Sequence, residues 1–194
     1  MIALKEKTTY KSIADLQRRI AVYEDEAAYK ELFLALFGTL TRFSTGIVQS
    51  KETAEEIVSD VFIKIWNERS RLQEIEDLKL YIFIAVKNNS IRKHQQQNKK
   101  ATLSLDEMNI ELDSLYQNPE DKIMSEESLS NIESAINSLP GRARLIVKLA
   151  KEDRMRYKDI ATLLNISVKT VDHQLAISLK KIAAVLGAGI RKKK

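Results

Sequence analysis

The sequence contains no cysteine, only 5 glycines and only 2 prolines among its 194 residues. The absence of cysteine excludes disulfide bonds, thiolate nucleophiles and zinc sites with cysteine ligands. So few helix-breaking residues argue against a turn-rich β-sandwich and favour long helices. No apolar run approaches the roughly 18 residues of a membrane span, and the start of the chain lacks the apolar core of a signal peptide. We therefore expect a cytoplasmic, all-α protein without direct membrane insertion.

Charge is unevenly distributed, although the whole chain has a formal net charge of only +5. Residues 1–100 carry a net charge of +3, residues 101–137 carry −8 and residues 138–194 carry +10. The basic C-terminal block favours a polyanionic partner such as nucleic acid. The acidic middle is weakly periodic and predicts a flexible linker between two small helical domains.

Apolar residues spaced three and four apart predict helices in the first half of the chain. The clearest pattern covers residues 54–65, and the opposite face of that helix carries Glu56, Ser59 and Asp60. The run from Leu78 to Val86 is short and aromatic enough for a buried strand, but no partner strand is visible. We therefore predict a helix there, followed by the polar and basic residues 87–100.

Residues 157–181 have the spacing of a helix-turn-helix. Asn165 suits the left-handed turn between the two helices, because asparagine tolerates that conformation better than most residues. Ser167 is a good N-cap for the second helix, and Ser138 is expected to cap an earlier one. The predicted inward stripe of the second helix consists of Val168, Val171, Leu175, Leu179 and Ile182.

The outward stripe of that second helix offers side chains that can enter the major groove of DNA. It contains Lys169, His173, Ala176 and Lys180, with Asp172 beside it. The chain has only 2 histidines, which is too few for a persuasive metal site, and no Gly-rich phosphate loop or catalytic constellation is present. We therefore predict a DNA-binding protein that is not an enzyme and needs no metal or other cofactor.

Four motifs in order resemble the extracytoplasmic-function (group IV) sigma factors of bacterial RNA polymerase. Residues 54–66 resemble region 2.2, residues 80–88 resemble region 2.3 with the loop before region 2.4, and residues 138–140 together with 157–171 resemble region 4. The resemblance implies an N-terminal extension over 1–24, sigma domain 2 over 25–100, an acidic linker over 101–128 and sigma domain 4 over 129–194.

The resemblance also implies three sets of binding residues. Core polymerase would be bound through its clamp by Glu56, Ser59 and Asp60. The melted −10 element would be bound by Lys87, Asn88, Asn89, Arg92 and Lys93, with Asn88 in the loop that captures an extruded base. The duplex −35 element would be read by Ser167, Lys169, Thr170, Asp172, His173, Ala176 and Lys180. Flanking phosphates would be bound by basic residues such as Arg142, Arg144, Lys158 and Lys181.

The partners implied by the resemblance are core RNA polymerase (clamp and flap regions), promoter DNA and an anti-sigma factor, which is often membrane-bound in this family. A different interpretation stays open: a LuxR-like helix-turn-helix regulator with a helical sensor or dimerisation domain. The motif at 54–66 and the basic stretch 87–100 argue against that regulator, because a sensor domain needs no DNA-facing segment.

Overall fold

A computed structural model describes residues 12–98 and 134–191 of the chain, with side chains up to Ala184 in the second range. Neither range contains a β-strand, so the all-α prediction is confirmed for the described residues. The first range forms α1 (Ile13–Tyr23), α2 (Glu26–Val48), α3 (Lys51–Asn67), a 3-10 helix (Arg69–Glu74) and α4 (Leu78–Asn98). The second forms a short helical segment over 134–137, then α5 (Gly141–Lys151), α6 (Tyr157–Leu164) and α7 (Val168–Arg191).

Side-chain caps define where the first four helices begin. Ser12 and Ser50 accept hydrogen bonds from the backbone N–H groups of Asp15 and Thr53, each at 3.2 Å. Asp25 caps α2 at 2.9 Å, and Asp77 caps α4 at 3.0 Å. Each cap satisfies a backbone donor that the helix itself leaves unpaired.

The core of the first domain (α1–α4) lies around α2. Leu32 and Leu40 of α2 and Phe62 of α3 are almost fully buried, as is Phe83 of α4. The ring of Phe62 meets that of Phe33 edge-on at a centroid distance of 5.0 Å, a geometry that the electrostatics of aromatic rings favours. These contacts hold α3 and α4 against one common helix, which fixes where their outward residues point.

The first helix shares this core. Leu16 and Ile20 of α1 are buried, and the amide of Gln17 donates to the carbonyl oxygens of Leu72 and Ile75 at 2.6 and 2.7 Å. Residues 13–23, expected in an N-terminal extension, therefore pack as part of the first domain.

By length and composition, α2 alone among the described helices is apolar enough to cross a membrane. Half of its most apolar window is already buried within the protein. Core helices and membrane spans share this apolar character, so the helix gives only weak evidence of a span.

The structure corrects the loop that the resemblance implied around Asn88. Asn88 lies inside α4, which is one continuous helix from Leu78 to Asn98. No glycine or proline interrupts the run. Ser90 is fully buried and donates to the carbonyl oxygen of Val86 at 2.7 Å, within the helix. Its hydroxyl also lies 2.8 Å from that of Ser44 in α2, which ties this part of α4 to the core.

The second domain (α5–α7) also departs from two expectations. Ser138 does not cap α5: its hydroxyl donates to the carbonyl oxygen of Ala135, and the position before α5 is Pro140. On α7, Val168 and Leu179 are 47% and 40% exposed, whereas Ser178 is 1% exposed.

The inward stripe of α7 is therefore Val171, Leu175, Ser178 and Ile182. These positions keep the spacing of four, three and four that follows one face of a helix. Leu179 lies about 100° further round and faces outward.

Candidate nucleic-acid interface

The turn between α6 and α7 has the geometry of a helix-turn-helix. Asn165 adopts the left-handed conformation with φ 54°, as predicted. The backbone N–H of Ile166 donates to the carbonyl oxygen of Ala161 at 3.0 Å, and the Ile166 side chain packs against the core. Ser167 caps α7 by accepting a hydrogen bond from the N–H of Thr170 at 3.0 Å. The cap and the turn fix the direction in which α7 leaves α6.

The outward face of α7 is free for a partner along most of its first three turns. Lys169, Asp172, His173, Ala176 and Lys180 are all exposed. Helical geometry puts residues 169, 173, 176 and 180 on one stripe. The small side chain of Ala176 lets this stripe approach a base edge closely, and lysine side chains lie at both of its ends.

Ser167 and Thr170, which are also expected to bind DNA, form hydrogen bonds within the protein. The hydroxyls of Ser167 and Thr170 lie 2.8 Å apart and hydrogen-bond to each other. Because Ser167 also accepts the capping hydrogen bond, these two hydroxyls stabilise the start of α7.

The residues expected at the −10 element are distributed around α4. Asn88 and Arg92 are exposed and lie one helical turn apart. Asn89 is half-buried. Lys93 forms an ion pair with Glu56 of α3 at 3.3 Å. That pair joins one residue expected to bind DNA to one expected to bind polymerase.

Lys87 has a different environment. Its ammonium group donates to the carbonyl oxygen of Leu163 in α6 at 2.9 Å, and its burial lowers the pKa of the ammonium group. The ammonium group of Lys87 is therefore hydrogen-bonded to the second domain in this structure.

On α3, the residues expected to bind polymerase share one outward face. Glu56 and Asp60 are exposed, and Ser59 is half-buried between them. Ile63, one turn further along, is 56% exposed. The face thus combines two carboxylates with an apolar side chain.

The basic residues expected to bind flanking phosphates differ in exposure and in the hydrogen bonds that they form within the protein. Lys158 and Lys181 are exposed. Arg144 instead donates to the carbonyl oxygens of Asn137 and Leu139 at 2.6 and 3.1 Å, which ties the 134–137 segment to α5.

Four residues that the sequence did not single out join the two domains. Arg156 donates from Nη2 to Asp77 of the first domain at 2.6 Å and from Nε to Asp159 at 2.6 Å. The hydrogen bond to Asp159 is the main cause that raises the pKa of Arg156, and the charge of Asp77 adds to it. Lys79 donates to the carbonyl oxygen of Asp153 at 2.6 Å.

The carboxyl group of Asp153 lies at the same contact. Its burial raises its pKa to about 6, while Lys79, Arg42 and the hydroxyl of Thr39 lower it and Glu152 raises it further. The sequence carries only weak signals for these residues: Asp77 stands at the N-cap position of α4, and Arg156 precedes Asp159 by three positions.

Within 12–98 and 134–191, no group of three or more histidine, aspartate or glutamate residues could hold a metal ion. The predicted linker over 101–128 lies outside the described residues. The candidate site consists of the outward faces of α4 and α7, which carry the residues expected to bind DNA, and the face of α3 that carries the residues expected to bind polymerase.

Comparison with known proteins matches both domains to one family. Residues 32–100 match the family described as "Sigma-70 region 2", and residues 129–187 match "Sigma-70, region 4". Together the two matches cover about two thirds of the chain. No curated protein gives a significant sequence match to this chain.

Among solved structures, the fold is similar to the sigma factor RpoE from Bartonella quintana, solved in complex with the anti-sigma factor NepR. The TM-score is 0.52 at 18% sequence identity, over 82% of this chain and 96% of that chain. At that identity the likeness concerns the fold.

Proposed function

Because the chain belongs to the sigma-70 family of RNA polymerase sigma factors, we propose that it acts as a sigma factor of the extracytoplasmic-function, or group IV, type. It binds core RNA polymerase and directs initiation at promoters by recognising a −10 and a −35 element. The observation that carries this proposal is that residues 32–100 and 129–187 match sigma-70 region 2 and region 4 in that order, with α4 in the first match and most of α7 in the second. A sigma factor is not itself an enzyme, since the polymerase performs the chemistry.

The −35 element is read by the outward stripe of α7. Lys169 and His173 can donate to acceptors on base edges in the major groove, and Asp172 can accept from donors such as the cytosine amine. Ala176 can contact a thymine methyl group. Lys180, further along the stripe, pairs with phosphate. Ser167 and Thr170 contribute through the start of α7, where backbone N–H groups also favour a phosphate.

The −10 element is bound as a melted strand by α4. Asn88 is exposed and carries both a donor and an acceptor, which suits hydrogen bonding to the edge of an extruded base. Lys87, Asn89, Arg92 and Lys93 bind backbone phosphates. Flipping a base costs a few kcal/mol, which these contacts together must offset.

Core polymerase is bound by the face of α3 that carries Glu56, Ser59 and Asp60. We propose the clamp as its partner there, and the flap as the partner of the second domain. The exposed Ile63 next to Asp60 gives this face the mixed apolar and polar character of a protein interface.

The corresponding domain assignment is an N-terminal extension (1–24), sigma domain 2 (25–100), a linker (101–128) and sigma domain 4 (129–194), with residues 13–23 of the extension packed on sigma domain 2. The match of residues 32–100 to sigma-70 region 2 disfavours the LuxR-like regulator, which would need a sensor domain there. An anti-sigma factor is a further proposed partner, because the similar sigma factor RpoE was solved with one. The proposed site of action is the cytoplasm, where the polymerase works.

The test is promoter-specific run-off transcription with core polymerase and the purified chain, on promoters located by sequencing transcript starts after overexpression. We expect discrete start sites that require the chain. Absence of core binding together with inactivity on every such promoter would refute the proposal.

One variant tests the assignment of α4. Asn88→Ala should slow promoter melting while core binding, measured by co-elution, stays unchanged. Gln96→Ala, an exposed amide two turns further along α4, is the matched control and should melt promoters normally. If Asn88→Ala abolished core binding instead, the assignment of Asn88 to the −10 element would be wrong.

A further inference from the structure

One ion pair joins the two surfaces of the first domain that are proposed to bind different partners. The ammonium group of Lys93 on α4 lies 3.3 Å from Oε2 of Glu56 on α3. Glu56 is proposed to bind polymerase, and Lys93 is proposed to bind the −10 strand. We call this interaction the α3–α4 ion pair. Through it, a residue used by each partner neutralises a residue used by the other.

The backbone on both sides of the α3–α4 ion pair is held in place by the core. Ile57, next to Glu56, is buried, and Ser90, one turn before Lys93, is fully buried and hydrogen-bonded to Ser44 of α2. The two charged side chains are freer, because Lys93 keeps 37% and Glu56 60% of its side-chain surface exposed. Exposed ion pairs are weak, so a partner can redirect either side chain without moving the helices.

A ligand on one member of the pair changes the electrostatic field at the other. A phosphate bound to Lys93 would lie about 6 Å from the carboxylate of Glu56, since the ion pair spans 3.3 Å and a charge-assisted hydrogen bond adds about 2.8 Å. Repulsion between two unit charges at this distance in water lowers an affinity about threefold. A cationic group of polymerase on Glu56 would cancel this repulsion and would also repel the ammonium group of Lys93 towards the phosphate.

We propose that the α3–α4 ion pair couples the two binding events, so that polymerase on Glu56 strengthens the binding of the −10 strand to Lys93. Both partners displace the same pair, and the partner that binds first removes that cost for the second. The coupling is reciprocal, as thermodynamic linkage requires, so DNA on Lys93 also strengthens the binding of polymerase to Glu56. The coupling rests on the proposed function, since it requires that these two residues bind polymerase and DNA.

The test is a double-variant cycle in the full chain, with single-stranded dT20 as the DNA probe, because phosphate contacts are independent of sequence. Glu56→Gln, Lys93→Gln and the double variant are compared with the parent protein by fluorescence anisotropy at low salt. Glu31→Gln and Lys30→Gln, at exposed positions of α2, are the matched controls for the change in net charge. Binding to core polymerase is measured by competition against the labelled parent protein.

We expect Glu56→Gln to bind dT20 about twofold to threefold more tightly than Glu31→Gln, and Lys93→Gln to bind it more weakly than Lys30→Gln. In the Lys93→Gln background, Glu56→Gln should change dT20 binding no more than Glu31→Gln does. The advantage of Glu56→Gln should shrink between 0.01 M and 0.15 M salt, as the Debye length falls from about 30 Å to about 8 Å.

The reciprocal effect concerns core polymerase. Lys93→Gln should bind core polymerase about twofold to threefold more tightly than Lys30→Gln, because Glu56 no longer has to leave an ion pair. Lys93→Arg keeps the charge, so it should behave like the parent protein in both assays, which guards against misfolding of Lys93→Gln.

Equal dT20 affinity of Glu56→Gln and Glu31→Gln, together with weaker binding by Lys93→Gln, would overturn the coupling and leave the −10 function in place. Equal core binding by Lys93→Gln and Lys30→Gln would also overturn the coupling. If Lys93→Gln bound dT20 as tightly as Lys30→Gln, the assignment of Lys93 to the −10 strand would be wrong and the coupling would fail with it. The run-off assay with the parent protein tests the sigma function independently of these variants.

Discussion

The carboxyl group of Asp153 should make the stability of the packed structure depend on pH near neutrality. Its burial raises the pKa from 3.8 to about 6, against the opposing effects of Lys79, Arg42 and Thr39. A change of one pKa unit corresponds to about 1.4 kcal/mol, so the ionised carboxylate costs about 3 kcal/mol in full. Asp153 is only half-buried in the fold, and solvent reduces this to about 1–3 kcal/mol.

The sign follows from proton linkage. The packed structure binds the proton of Asp153 more tightly than the unfolded chain does. The stabilising contribution is therefore complete below pH 3.8 and is lost as the pH rises through about 6. Replacing Asp153 with asparagine removes the charge and keeps an oxygen that can accept from Thr39.

Asp153→Asn should thus be more stable than the wild type by about 1–3 kcal/mol at pH 8, with about half of this advantage left at pH 5. Urea denaturation at a series of pH values measures the difference. Asp60→Asn, at an exposed position of α3, is the control for the loss of one negative charge. A difference that stays constant between pH 5 and 8, or a less stable Asp153→Asn at pH 8, would refute the reasoning.

Two further predictions concern α4 and α7. The hydroxyls of Ser44 and Ser90 are fully buried and 2.8 Å apart, so Ser90→Ala should lower the free energy of unfolding by about 1–3 kcal/mol. The double alanine variant should lose less stability than the sum of the two single variants. Urea denaturation of the wild type, both single variants and the double variant measures this, and strict additivity would contradict it. Lys169→Ala or His173→Ala should weaken binding to the preferred −35 duplex by about 1–3 kcal/mol and relax the preference at one base pair. Binding titrations against DNA duplexes with single-base changes test this second prediction. The control is Lys158→Ala, which should weaken binding to all duplexes alike. If Lys169→Ala and His173→Ala also weakened binding to all duplexes alike, both residues would contact phosphates and not bases.

The sequence predicted the features that depend on neighbouring residues. Apolar spacing identified α3, and the N-cap at Ser167 and the left-handed Asn165 located the turn before α7. These signals are local, because each cap or turn satisfies backbone groups within a few positions. The prediction that residues 78–86 form a helix is confirmed by α4, although it rested on the lack of a partner strand in the sequence and not on a local signal.

The errors arose where one kind of information was given too much weight. A loop around Asn88 was expected from the resemblance, although nothing in the residues themselves breaks the helix. On α7, Leu179 was placed inside because it is apolar, but the phase of the helix puts Ser178 there, 1% exposed. The hydrogen bonds between the two domains join residues 74 to 79 positions apart, so periodicity and capping do not predict them.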